Sequence, residues 1–147
     1  MGGLYSGTQR RTENLVGGTN GKMVKIGLEA MEAFRIEIDV TGLEGDNPVA
    51  VTALVDTWAT HSMMPASLLT RLGIRPTRQR TFTMADGRTE TYDIGAAMIS
   101  VGEEVMPCPV IFGREGRYLL GATTLENFDL AVDPVNQKLT PVAELTV

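Results

Sequence analysis

One stretch of the chain, residues 53–65, combines residue types that could carry out acid–base chemistry. An apolar run ends in a carboxylate at Asp56, and a hydroxyl follows at once at Thr57. A carboxylate at the end of a buried strand must be hydrogen-bonded, paired or neutralised, because desolvation penalises its charge. Such a group can act as a general acid or base in a cleft. An aspartate that caps a turn with its side chain fits the same residues, and the local sequence leaves both interpretations open.

The other reactive side chains indicate no metal site. Cys108 is the only cysteine and lies between two prolines in an apolar stretch, which favours a buried, inert thiol. With His61 as the only histidine, the spacing of a zinc site is missing. We expect Thr60 and Ser62 to bond the carboxylate or to cap the next helix, and His61 to be solvent-facing or structural. Met63 and Met64 are expected in the core, with a place in a specificity pocket as the alternative.

Composition narrows the class of protein. The 147 residues fit one domain, and 43% hydrophobic with 21% charged residues is typical of a globular protein. A formal net charge of -5 disfavours binding to nucleic acid or to anionic lipid. The apolar runs are too short to span a membrane, and the N-terminus does not have the pattern of a signal peptide. We therefore predict a cytoplasmic protein with neither nucleic acid nor membrane as a partner.

Hydrophobic patterning predicts how the chain is organised. Residues 1–21 are rich in Gly, Thr, Asn and Arg without apolar periodicity, which predicts a flexible tail before a single domain over residues 22–147. Apolar alternation or apolar runs predict strands over residues 24–28, 34–40, 49–55, 81–84, 89–94, 97–101, 105–112, 118–120 and 138–142. Helical spacing predicts a short helix over residues 65–72 and one or two turns over residues 122–127. The fold class is therefore all-β with one or two short helices.

The sequence supports a more specific prediction for one strand and for one hairpin. The near-continuous apolar run of residues 49–55 predicts a strand buried on both faces. Asp86-Gly87 between two strand-like runs predicts a hairpin in which both central turn residues have positive φ.

Three motifs, in this order along the chain, match a known family. Leu54-Val55-Asp56-Thr57 followed by Ala59-Thr60 fits the signature apolar-apolar-Asp-Thr-Gly-Ala-Ser/Thr, except that Trp58 replaces Gly. The hairpin turn Met84-Ala85-Asp86-Gly87 lies where the family has a flap over its substrate, and Leu119-Leu120-Gly121 fits the second signature. From about residue 22 to residue 142 the chain resembles the retroviral-type, retropepsin-like aspartic peptidases that have a single domain, including their small bacterial members.

The resemblance implies a small closed β-barrel, the acid protease fold, and hydrolysis of peptide bonds without a cofactor. In the family, two aspartates activate one water, and Thr57 would hydrogen-bond across a two-fold axis to orient them. Two carboxylates about 3 Å apart share a proton and titrate as a pair, so one acts as base and the other as acid. This sequence has a single Asp-Thr and thus supplies half of such a site. The implied active form is a homodimer that pairs Asp56 with its twin and binds a peptide or protein substrate.

Trp58 departs from the family signature in the active-site loop that it forms with Ala59 and Thr60. The family has Gly there because the backbone passes close to the carboxylates, and glycine also reaches backbone angles that bulky side chains resist. One hypothesis is that Trp58 occludes the cleft, displaces the aspartates or weakens the dimer. Another is that the indole swings outward into a pocket lined by Met63, Met64 or the flap. The alternative function is therefore a catalytically inactive module that binds peptides or dimerises.

Overall fold

The structure is a computed structural model, which describes residues 23–26, 29–32 and 34–142 and the side chains of residues 34–142. The tail predicted for residues 1–21 lies outside the described residues. No helix in the described part of the chain is long and apolar enough to cross a membrane.

Eleven strands and two short helices form the described part of the chain. The strands are β1 (Met23–Ile26), β2 (Glu29–Glu32), β3 (Arg35–Thr41), β4 (Val49–Val55), β5 (Ser62–Pro65), β6 (Arg78–Thr83), β7 (Thr89–Val101), β8 (Glu104–Gly113), β9 (Leu119–Leu120), β10 (Leu130–Asp133) and β11 (Lys138–Pro141). The helices are α1 (Ala66–Arg71) and α2 (Ala122–Asn127). The predicted all-β class with short helices is confirmed.

Six of the strands close into a barrel. Their order is β3-β4-β9-β5-β8-β7, and β7 pairs back with β3 through Asp39 to Thr41. Closure leaves these six strands without a free edge, because each has a neighbour on both sides. β6 lies outside the ring and pairs with the first half of β7, so the two strands extend from the barrel as a hairpin. This is the predicted closed barrel.

The core lies inside this barrel and is built from alternate residues of its longer strands. Val40, Ala97, Ile99 and Val110 are fully buried, as the period of two in a strand requires. A fully buried Val or Ile side chain stabilises a fold by about 1.5–3 kcal/mol. Cys108 belongs to the same core at 1% exposure, and its burial raises the pKa of the thiol. The prediction of a buried thiol is confirmed.

β4 is less buried than its composition predicts. Ala50 and Thr52 are exposed, whereas Ala53 and Val55 are buried. The strand runs antiparallel to β3 along most of its length and reaches β9 only at Leu54 and Val55. The prediction of burial on both faces is therefore wrong for the first half of the strand, because an apolar alanine fits an exposed face as readily as a covered one.

β7 is one strand of 13 residues where the sequence predicted two, over residues 89–94 and 97–101. Gly95 interrupts the apolar pattern, yet the strand continues through it. A Cβ at Gly95 would lie 2.8 Å from the carbonyl oxygen of Arg75 and 3.1 Å from Cε1 of Phe112. The glycine is needed for this close approach of another backbone, not for a strand end.

Candidate active site

Asp56 follows β4 and is held by the backbone on both sides. Its N–H donates to the carbonyl oxygen of Leu120 at 3.0 Å, and its own carbonyl accepts from the N–H of Ala59 at 3.1 Å. The carboxylate oxygen Oδ1 accepts from the N–H of Trp58 at 3.0 Å. Asp56 is half-buried, and Oδ2 has no hydrogen-bond partner among residues 34–142. The turn thus orients one carboxylate oxygen and leaves the other available.

The second family signature fixes the loop that follows Asp56. Gly121 is the residue between β9 and α2, and the next N–H groups, those of Ala122 and Thr123, donate to the carbonyl oxygens of Ala59 at 2.8 Å and Thr60 at 2.9 Å. A Cβ at Gly121 would lie 2.6 Å from the carbonyl carbon and oxygen of His61. Only glycine therefore lets the two segments approach this closely.

A buried hydroxyl pair strengthens this junction. The N–H of Gly121 donates to Oγ of Ser62 at 3.0 Å, and Ser62 Oγ is 2.6 Å from Oγ1 of Thr124 in α2. Both hydroxyl residues are fully buried. Sequence reasoning assigned Ser62 to bonding the carboxylate or capping the next helix, but α1 has no side-chain cap and Pro65 lies at its N-cap position. The hydroxyl joins the two signature segments instead.

β5 follows this loop and belongs to the barrel. It was not predicted from the sequence. It pairs parallel with β8 along its four residues and meets β9 at Met63 and Leu119. A strand this short has no local signature of its own, since its stability comes from neighbours distant in sequence. The helix predicted over residues 65–72 follows as α1, Ala66–Arg71, and agrees within the usual error of element ends.

Trp58 lies on the surface of this loop and is 70% exposed. Its backbone is not in the left-handed region, which among residues 34–142 holds only Asn47, Asp129 and Gln137 besides glycines. The backbone angles at this position therefore do not require glycine in this chain. Any conflict that Trp58 causes must therefore come from its exposed indole.

The hairpin predicted around Asp86-Gly87 is formed by β6 and β7. Met84 and Arg88 close a loop of Ala85, Asp86 and Gly87, since the N–H of Met84 donates to the carbonyl of Arg88 at 2.6 Å. Only Gly87 has positive φ, at 90°. The expectation that both central residues have positive φ is therefore wrong, because this loop has three residues and a bulge where a two-residue turn was predicted.

Charged and polar groups on the hairpin are paired with one another. Asp86 accepts from the backbone N–H of Arg88 at 3.0 Å and from its guanidinium at 2.6 Å, and these bonds lower the pKa of the carboxyl. Tyr92 donates its hydroxyl proton to Glu90, which raises the pKa of the phenol. The charged groups near the tip of the hairpin are therefore paired with other groups of the hairpin.

A cleft of about 520 Å³ lies between the hairpin and the loop after Asp56. The loop supplies Trp58, Ala59, Thr60 and His61 to its wall. The hairpin supplies side chains that include Phe82, Met84, Glu90 and Tyr92. Met63, Ile111 and Leu119 line it from the barrel, and Arg88, Arg114 and Arg117 also contribute.

The cleft brings together some of the predicted site residues and not others. The predicted residues that line it are Trp58, Ala59, Thr60, Met84 and Leu119. Asp56 and Thr57 adjoin it in the chain without lining it, and Thr57 is exposed. The remaining predicted residues of the hairpin tip, Ala85, Asp86 and Gly87, are exposed and also lie outside the cleft wall. Leu120 and Gly121 are buried and act through the backbone.

Sequence reasoning missed much of the cleft wall. Phe82, Glu90 and Tyr92 share a face of the hairpin with the predicted Met84, which a period of two from the predicted turn could have revealed. Met63 was expected in the core but is half-buried and lines the cleft, whereas Met64 is fully buried as expected. No local pattern marks the two arginines of the loop between β8 and β9.

His61 is a structural residue of the cleft wall. It is 9% exposed, and its Nδ1 is buried without a hydrogen-bond partner in the described part of the chain. Its ring meets the edge of Phe82 with centroids 6.0 Å apart. Burial lowers the pKa of His61 from 6.5, and the nearby guanidinium groups of Arg80 and Arg78 lower it further. The imidazole is thus held neutral between the loop and the hairpin.

We predict that His61 makes the fold less stable as the pH falls. Its pKa is below 6.5 in the folded chain, so below that pH the unfolded chain takes up the proton first and the free energy of unfolding decreases. Urea unfolding at about pH 7.5 and about pH 5.5 measures this change, which His61→Gln should reduce. An equal loss of stability in both proteins over that range would contradict the prediction.

A protein-family model matches the region that contains this cleft and loop. The family model described as "gag-polyprotein putative aspartyl protease" matches residues 44–127. That range is more than half of the chain's 147 residues and includes Asp56, the hairpin and Gly121. No curated protein matched the chain.

Solved structures give weaker likenesses. The protease of Simian Foamy Virus (mac) is 17% identical over 64% of this chain and 93% of its own, with a TM-score of 0.49. The EIAV protease in complex with the inhibitor HBY-793 is 18% identical over 71% and 94%, with a TM-score of 0.45. A retropepsin-like aspartic protease from Rickettsia conorii is 16% identical over 76% and 83%, with a TM-score of 0.45.

Because the matched family model covers most of the barrel and both signatures, the chain belongs to this retropepsin-like aspartyl protease family.

Proposed function

We propose that the protein is an aspartic endopeptidase whose active form is a homodimer. The observation that carries the proposal is the Asp56 carboxylate beside a cleft that a hairpin covers: one oxygen is fixed by the backbone, and the other has no partner among residues 34–142. No aspartate of the described residues lines that cleft, and one chain offers only the Asp56 carboxylate next to the loop that does. A dimer with two-fold symmetry brings the same residue from both protomers to one axis, so it supplies the missing carboxylate.

In this dimer the two Asp56 carboxylates would share one proton. The ionised carboxylate takes a proton from a water as the water attacks the scissile carbonyl carbon, and the protonated one donates a hydrogen bond to the carbonyl oxygen. Trp58 N–H keeps the carboxylate oriented through Oδ1, while the exposed Thr57 is free to bond across the axis. The substrate peptide would lie extended under the hairpin, with its backbone paired to neighbouring strands.

The second candidate function is a peptide-binding or dimerising module without catalysis, and Trp58 is the observation that favours it. A tryptophan exposed by 70% next to the carboxylate is a large apolar surface at the place where the second protomer must pack. Two such indoles on one axis would keep the carboxylates apart, or would cover the cleft that the peptide must enter.

We predict that Trp58→Gly raises kcat/KM for peptide cleavage by about tenfold, because the change removes the indole and keeps the backbone N–H that orients Asp56. Cleavage of an unfolded protein at acidic pH, followed by mass spectrometry of the products, measures it. Trp58→Phe is the control, since it keeps a large ring at the same position and should cleave no faster than the parent. Absence of cleavage by all three proteins, at every concentration tried, would support the module without catalysis.

A further inference from the structure

The loop between β8 and β9 places two arginines side by side at the cleft. Arg114 and Arg117 are the ends of a four-residue turn, in which the N–H of Arg117 donates to the carbonyl oxygen of Arg114 at 3.3 Å. Gly116, the third residue of the turn, has a φ of 82°, which is typical of a type II turn. A turn of this kind keeps the Cα atoms of its end residues within about 7 Å of each other. Both arginines line the cleft.

Neither arginine is neutralised by a carboxylate of the described chain. No ion pair joins Arg114 or Arg117 to an acidic side chain within residues 34–142. The acidic residue of their own turn, Glu115, does not line the cleft, and its carboxylate accepts a hydrogen bond from the Ser67 hydroxyl in α1. The two guanidinium groups are exposed, so their charges face solvent at the cleft wall.

The other charged groups of the cleft already have partners. Arg88 bonds Asp86 at 2.6 Å and lies 3.7 Å from Glu90. Glu90 uses its other oxygen to accept from Tyr92. Since Glu90 is the one acidic residue that lines the cleft in the described structure, the cleft has an excess of positive charge although the whole chain has a net charge of -5.

We infer that Arg114 and Arg117 form a subsite that binds an acidic side chain of the peptide in the cleft. The inference rests on the proposed function, because it takes the ligand of the cleft to be a peptide. Guanidinium groups bind carboxylates through paired hydrogen bonds, and two neighbouring guanidiniums present more donors than one carboxylate needs. Exposed pairs of this kind contribute modestly, so we expect about a threefold to tenfold preference for Glu over Gln in a matched peptide.

Peptides that differ only by Glu or Gln, with the residue placed in turn at each position, test the subsite. All peptides have C-terminal amides, so the side chain is their single source of carboxylate. Binding is measured with Asp56→Asn protein, which holds the peptide without cleaving it, and cleavage is measured with the parent protein. The preference should weaken as salt is added and at pH values below about 4.3, where the glutamate is protonated.

The double change Arg114→Gln, Arg117→Gln should abolish the preference for Glu. The matched control is Arg75→Gln, because Arg75 is exposed but does not line this cleft, and that protein should keep the preference. A Gln peptide with a free C-terminal carboxyl group separates the two sources of carboxylate. If that peptide gains as much over the amidated Gln peptide as the Glu peptide does, the assignment to a side chain is overturned.

The binding and cleavage measurements separate failure of this inference from failure of the proposed function. Binding that favours Glu and depends on the two arginines, without cleavage, would support the subsite and contradict the peptidase. Cleavage without a preference for Glu, a preference that survives the double change, or no binding of any peptide would overturn the subsite.

Discussion

Asp56→Asn lowers peptide cleavage by at least about 10³-fold, which is the effect expected when a side chain that transfers protons is lost. The amide has nearly the shape of the carboxylate, and its oxygen can still accept the Trp58 N–H bond that now ends on Oδ1. The turn after β4 should therefore keep its structure, since it is also fixed by the bond from Asp56 N–H to Leu120. The measurement is the rate of product formation at several acidic pH values.

Asp46→Asn is the matched control for this change. Asp46 is exposed and does not line the cleft, so the substitution removes the same charge away from the proposed site. We expect its cleavage rate to stay within about twofold of the parent, as for most surface substitutions. Cleavage that persists in the Asp56→Asn protein would contradict the catalytic assignment of Asp56.

Gly121→Ala has the second large effect, and it acts on the fold around the site. The new Cβ would lie 2.6 Å from the carbonyl carbon and oxygen of His61 and 2.8 Å from the carbonyl oxygen of Ala59. These are backbone atoms and cannot swing away as a flexible side chain can. The two signature segments must separate, which strains the bonds that Ala122 and Thr123 donate to the loop. We expect a loss of about 3 kcal/mol in the free energy of unfolding.

Denaturant unfolding of the purified proteins measures this loss. Gly45→Ala provides the comparison, because Gly45 has a φ of +80° and nothing within 4 Å of the added Cβ. Its cost of about 1–2 kcal/mol would come from backbone conformation alone. If Gly121→Ala is no more destabilising than Gly45→Ala, the close approach at Gly121 does not determine the stability of the site.

The parts of the site that could be predicted are those with a signature in nearby residues. Asp56 at a strand end and the turn at Asp86-Gly87 have local causes: an apolar run that stops and a residue that reaches positive φ. Gly121 was predicted through the family signature alone, because the backbone atoms that leave no room for a Cβ there belong to Ala59 and His61, far away in the sequence. The closed barrel then followed from the family resemblance that these motifs supported.

The parts that could not be predicted depend on residues far apart in the sequence. β5 exists because β8 and β9 flank it, and β7 is continuous because Gly95 permits contact with the backbone of Arg75. Arg114 and Arg117 reach the cleft only because a turn places both at one end of the barrel. His61 was predicted to be solvent-facing or structural, and its burial against Phe82 comes from the packing of the hairpin on the loop.

The most direct test of the central claim, that each chain supplies half of one active site, is a mixing experiment. Parent protein and Asp56→Asn protein are allowed to exchange subunits in equal amounts at a fixed total concentration, and the cleavage rate is compared with that of undiluted parent. If activity needs Asp56 from both protomers, random pairing leaves about a quarter of the dimers active, so we predict a rate of about one quarter. A rate of about one half would show that single chains act alone and would contradict the shared site.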